Sequence, residues 1–132
     1  MSGPGVMVVE DQEAVLEQIC EFLEWIGCEI VGKARTGKEA VELYSRCSPD
    51  LVTMDLKMPG MDGAEATRIM KEIDPSAKIL VFTSIEVEKE KSDPDSIVGR
   101  AIANGALDAV CKFSKDGILK RLKELFPDRL EL

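Results

Sequence analysis

Four apolar runs of this 132-residue chain end in residues that can handle charge. "VMVV" (6–9) runs into Glu10-Asp11 and "LVTM" (51–54) into Asp55; "KILVF" (78–82) leads to Thr83-Ser84 and "DAVC" (108–111) to Lys112. Singly, each has a plainer reading. Glu10-Asp11 could belong to a helix cap, Asp55 to a helix or turn cap, Thr83 to a turn, and Lys112 to an exposed, snorkelling surface. Joint occurrence is harder to explain that way. Three carboxylates at one mouth repel, which raises their pKa values or destabilises the fold, and a divalent cation relieves the repulsion. Mg2+ takes a few carboxylates and keeps several waters, so acidic residues without His or Cys suit it. A lysine can lie beside the carboxylates and pair with an incoming phosphoryl oxygen, and a threonine hydroxyl can donate to another. A carboxylate is also a competent nucleophile, giving an aspartyl-phosphate. These parts match phosphoryl transfer, where catalysis is largely positioning and charge neutralisation.

Such a set must be held by elements that end in one place. After "VMVV", the stretch "QEAVLEQICEFLEWIG" repeats Val15, Ile19, Phe22, Leu23 and Ile26 at helical spacing, and Gly27 supplies a stop. "CEIVGKA" (28–34) reads as a second strand. In "TGKEAVELYSRC", Thr36 and Glu39 have the spacing of a capping box. Pro49 precedes the third strand, and a helix over 64–73 ends at Asp74-Pro75. Between the fourth and fifth strands, Asp93-Pro94 predicts a helix start with proline at the first helical position, and "SIVGRAIAN" a helix that stops at Gly105. The last helix, "SKDGILKRLKELF", gathers Ile118, Leu119, Leu122 and Leu125 on one face. Five strands alternating with five helices, the strands apolar throughout, predict an α/β fold: a doubly wound, open, five-stranded parallel sheet covered on both faces. In such a sheet ligands bind at the carboxyl ends of the strands, where the polar residues fall.

Length fits a single domain, 1–132, with "MSGPG" at 1–5 as a flexible leader. A formal net charge of −8 argues against direct nucleic acid binding, which needs a basic surface. No apolar run approaches the roughly 20 residues that span a membrane. Cys20, Cys28, Cys47 and Cys111 show no CxxC spacing and read as packing residues in a reducing cytoplasm. The absence of histidine removes most zinc sites, Ser-His-Asp triads and any phosphohistidine carrier role within the chain.

On these residues the sequence resembles a response-regulator receiver domain, the phospho-accepting module of two-component signalling, from Val6 to about Phe126. "DLKMPGMDG" (55–63) is the most specific part. The resemblance implies a flavodoxin-like strand order 2-1-3-4-5 and Asp55 as the phosphorylation site. It implies Mg2+ held by Asp11, Asp55 and the backbone carbonyl of Lys57, with Glu10 acting mostly through water. Thr83 and Lys112 would each bind a phosphoryl oxygen, while Pro59 and Gly63 shape the adjoining loop. The implied partners are a histidine kinase or phosphotransfer protein and a downstream output protein or domain. The chain would be cytoplasmic, a monomer or a phosphorylation-dependent dimer, and catalytic only in its own phosphorylation and dephosphorylation. Output would run through the fourth helix, fifth strand and fifth helix.

The chain departs from the pattern in four places. The acidic pair is Glu-Asp rather than the commoner Asp-Asp, which bears on metal geometry. Phe113 follows the lysine where a cis proline is usual, and a cis bond there would cost roughly 2.5–4 kcal/mol. Ala109 stands where a switch aromatic is expected, so Phe113 or the 84–95 segment must fill that space, or the segment must reorder. The stretch from Thr83 to Gly105 is several residues longer than usual, with the excess in "EVEKEKSDPD".

Three other readings fit the residues less well. A phosphatase of the haloacid-dehalogenase type also uses an aspartyl nucleophile, but it needs a second aspartate two residues on, where this chain has Lys57. A degenerate receiver serving only as an interaction module draws on Ala109 and Phe113, against the intact Asp11, Asp55, Thr83 and Lys112. Nucleotide binding lacks both GxGxxG and GxxxxGK[ST].

Overall fold

The computed structural model describes residues 3–84 and 86–131. Its strands are β1 (Gly5–Val9), β2 (Glu29–Ala34), β3 (Leu51–Met54), β4 (Ile79–Thr83) and β5 (Asp108–Cys111). They form one parallel sheet in the order β2-β1-β3-β4-β5. The order reverses between β1 and β3, and there the carboxyl ends open a crevice. Around the sheet lie α1 (Glu13–Trp25), α2 (Gly37–Cys47), α3 (Gly63–Ile73), α4 (Val87–Lys91), α5 (Ile97–Ala103) and α6 (Lys115–Leu125).

Alternation along β1 shows why its run is apolar on both sides. Val6 and Val8 join a core with α1 and α6, which includes Leu16, Leu23 and Leu122, whereas Met7 and Val9 join the opposite core with Ala40, Tyr44 and Met70 of α2 and α3. A third cluster packs Val98 and Ala101 of α5 against Val81, Leu56 and Ala109. The edge strand β2 is the exception, with most of its residues partly exposed. Cys20 and Cys28 are buried packing residues, Cys47 and Cys111 are half-buried, and all four thiols are free. Burial pushes the Cys20 and Cys28 thiols up to about 11.

Several local signals act as the sequence implies. Thr36 accepts from the Glu39 N–H, and Glu39 in turn accepts from the Arg35 N–H. Gly27 and Gly105 take positive φ just past α1 and α5. In both places the glycine N–H and the next N–H return to carbonyls of the last turn: Gly27 to Glu24, Cys28 to Leu23, Gly105 to Ile102 and Ala106 to Ala101.

The structure corrects three expectations. There are six helices among the described residues, because the extra sequence after β4 forms its own short helix, α4. Asp93-Pro94 does not begin α5: Asp93 accepts from the Asp95 N–H in the turn between the two helices, and Ser96 caps α5 by accepting from the Gly99 N–H at 2.9 Å. Finally, the 1–5 leader lies outside the described residues only at 1–2. Gly5 opens β1, and the Pro4 carbonyl accepts from the Glu29 N–H.

Helix α4 buries no residue fully, but it is tied to the sheet edge. Lys91 Nζ lies 2.7 Å from Asp108 Oδ1 at the start of β5, while Arg121 of α6 reaches Asp108 Oδ2 at 2.6 Å.

Candidate functional site

The ends of β1 and β3 are brought level by the ladder: Val9 pairs with Met54, and the Asp55 N–H donates to the Val9 carbonyl. Glu10 therefore stands beside Asp55, with Asp11 next in chain. A carboxylate oxygen from each of Glu10, Asp11 and Asp55 lies within 4.8 Å of the others. Beyond β4, the Thr83 carbonyl accepts from the Lys112 N–H, which sets Lys112 at the same mouth. Lys112 Nζ donates to Glu10 Oε1 at 2.8 Å and to Asp55 Oδ1 at 3.4 Å.

Glu10 and Asp55 are buried, and the Lys112 side chain is only 9% exposed. Glu10 uses both oxygens, since Oε2 accepts from the Gln12 N–H at 3.1 Å. Burial, then the charge of Glu10, pushes the Asp55 carboxyl up to about 7 against the pull of Lys112; a hydrogen bond and the charge of Asp11 add to the rise. Burial alone would lower the Lys112 ammonium, but the hydrogen bond to Glu10 and the two carboxylate charges hold it above its ordinary range. The mouth is short of positive charge. A small oxygen-seeking dication fits a donor set of three carboxylates without nitrogen or sulfur.

Thr83 is buried at the end of β4, and Lys57 sits two residues past Asp55 with its side chain exposed. The loop from Asp55 to α3 depends on Gly63. A Cβ there would fall 2.9 Å from the Leu56 Cα and closer still to the Asp55 carbonyl oxygen. The Gly63 N–H donates to the Leu56 carbonyl, and Asp62 caps α3 by accepting from the Glu65 N–H.

Two contacts at the site had no sequence signal. The Arg35 guanidinium, from beyond β2, donates to the Asp11 carbonyl at 2.8 and 3.2 Å and so fixes the acidic pair. Phe113 places its ring 5.8 Å from Lys112 Nζ. The peptide bonds of the described residues are all trans, that between Lys112 and Phe113 included.

Phe113 does not fill the space beside Ala109. Its ring is 61% exposed and lines a cleft with Val15, Ile19 and Phe22 of α1. Instead, Val87 of α4 packs against the cluster that contains Ala109. A groove of about 420 Å³ remains there, lined by Val87, Ala109, Cys111, Lys120 and Arg121 among others.

A family model described as the response regulator receiver domain matches residues 6–123. The chain is 33% identical to the chemotaxis protein CheY of Thermotoga maritima over 93% of its own length and 98% of that protein. It is 36% identical to CheY of Bacillus subtilis over 90% of its length and 94% of that protein. Among solved structures, the CheX–CheY–BeF3–Mg2+ complex of Borrelia burgdorferi aligns with a TM-score of 0.81 at 25% identity, over 92% of this chain and 88% of that one.

Proposed function

The chain belongs to the response regulator receiver domain family of two-component signalling, and from that membership we propose that it takes a phosphoryl group onto Asp55 from a histidine kinase or phosphotransfer protein. The observation that carries this reading is the cluster itself: Glu10, Asp11 and Asp55 gathered at one mouth with Lys112 bonded across it. An Asp55 oxygen attacks phosphorus, the new P–O bond forms as the donor's P–N bond breaks, and the imidazole leaves with the electron pair. Asp11, Asp55 and the Lys57 carbonyl would hold Mg2+, with Glu10 acting mostly through water; when bound the ion would neutralise charge on the carboxylates and the phosphoryl oxygens. Lys112 gives an ammonium to one phosphoryl oxygen and Thr83 a hydroxyl donor to another. The chain works in the cytoplasm, and no helix among the described residues is long and apolar enough to cross a membrane.

Output runs through α5, β5 and α6 to a downstream protein or domain. Phosphorylation favours one of two conformations through its differential contacts. With Ala109 in place of a ring, the movement of Thr83 toward the phosphoryl group is passed to the α4 segment. The CheX–CheY complex is a precedent for partner binding by a relative.

The test is direct. Acetyl phosphate with Mg2+ should add one phosphoryl group to the chain, detected by intact mass, and Asp55→Asn or a chelator should abolish it. Undiminished labelling of the Asn variant removes Asp55 from this role. An unlabelled wild-type chain that still binds its partners would favour the degenerate, interaction-only receiver.

A further inference from the structure

We infer that Phe113 is a positioning residue for phosphoryl transfer, its ring face holding the Lys112 ammonium at the mouth of the site. The inference rests on the phosphoacceptor reading and adds to it a residue outside the acidic cluster. Lys112 Nζ lies 2.8 Å from Glu10 Oε1, 3.4 Å from Asp55 Oδ1 and 5.8 Å from the Phe113 ring centroid. The ring distance lies within the reach of a cation–π interaction.

These contacts differ in kind. Glu10 and Asp55 hold the ammonium by taking two of its three N–H donors, so their hold weakens as the ammonium turns those donors toward phosphoryl oxygens. A ring face attracts the charge through its quadrupole and offers no lone pair, so it can keep the ammonium in place while a donor is released. The Lys112 stem has four methylenes, and fixing it beforehand removes an entropic cost from the reaction.

The setting of Phe113 supports this. At 61% exposed the ring has no core to fill, yet the Lys112 side chain beside it is only 9% exposed. Phe113 and Lys112 together border a cleft of about 100 Å³ walled by Ile19, Phe22 and Ile118. The ring thus closes the α1 side of the lysine, and the carboxylates close the other.

A fluorinated-phenylalanine series at position 113 tests the inference, because fluorine drains the ring face of negative charge with little change in size. Phosphorylation by acetyl phosphate in saturating Mg2+ should slow stepwise along the series. The full loss, matched by Phe113→Leu, should be about two- to fivefold, and Phe113→Tyr should restore the rate. A small donor is chosen because a ring that merely docks a partner protein would leave this rate unchanged. A flat series, or a Leu variant as fast as the wild type, overturns the proposal while leaving Asp55 as acceptor. A second readout needs no phosphorylation: the Lys112 ε-protons should show an upfield ring-current shift that disappears in Phe113→Leu. Absence of that shift in the wild type overturns the proposal whether or not Asp55 accepts a phosphoryl group.

Discussion

Lys112 stands closer to Glu10 than to Asp55, at 2.8 against 3.4 Å. The lysine therefore rests more closely on Glu10 than on the proposed acceptor, and Glu10 is itself fixed by the Gln12 N–H. Removing the ammonium leaves both carboxylates without their protein cation. In Lys112→Ala, Mg2+ affinity should persist or rise, while the conformational response to beryllofluoride is lost. A Mg2+ titration and amide exchange read the two effects separately, and a variant that still responds would take Lys112 out of the switch.

Stability in metal-free buffer should depend on pH through Asp55. Its native pKa is pushed up to about 7 from an ordinary 3.8, so between those values the native chain holds a proton that the unfolded chain has released. Stability then falls as pH rises across that window and levels off above it. Asp55→Asn removes the step. Urea unfolding should show the variant more stable than the wild type at about pH 8, by on the order of a few kcal/mol, and little different near pH 4. Mg2+ should shrink the gap at high pH. A difference independent of pH would mean that Asp55 does not carry this strain.

Gly63→Ala should lower stability by about 1–3 kcal/mol and slow phosphorylation as well, because relief of the overlap must move the backbone of Asp55 and Leu56. Unfolding measurements and the acetyl phosphate rate together distinguish a site effect from a stability effect. A destabilised variant with wild-type phosphorylation would show that the loop yields elsewhere.

The beryllofluoride complex should change amide protection most over residues 84–104. This region holds α4, which buries no residue fully and meets the rest of the chain through Lys91 and Val87 and through the Ser96 hydroxyl beside the Glu90 carbonyl. Ala109→Tyr should be tolerated within about 1 kcal/mol, since the groove beside Ala109 has about 420 Å³ to receive a ring. Protection changes confined to 55–63 would put the switch elsewhere.

Much of the sheet was legible because strand ends and helix stops are local signals. The apolar runs located β1, β3, β4 and β5, and Gly27 and Gly105 marked the turns that only a residue free at positive φ makes easily. Helix α4 was hidden because it has no buried stripe and hence no period. Asp93-Pro94 and Ser96 are both good helix starts by type. What favours Ser96 lies outside its own helix: its single hydroxyl proton points between the Glu90 and Asp93 carbonyls, at 2.6 and 2.8 Å, and Glu90 is in place only once α4 has formed. Within the site, the acidic residues and the lysine could be named from strand ends. Arg35 could not, because its bond to the Asp11 carbonyl spans 24 residues and crosses between strands.

The two buried thiols bear on how the protein can be instrumented. Cys20 and Cys28 are held as unreactive thiols, and Cys47 donates its proton to the Val31 carbonyl. Cys111 is half-buried, lines the groove beside Ala109 and immediately precedes Lys112. A thiol-directed fluorophore used sparingly should therefore settle there first, which makes the native chain its own single-site reporter of the face between α4 and α6.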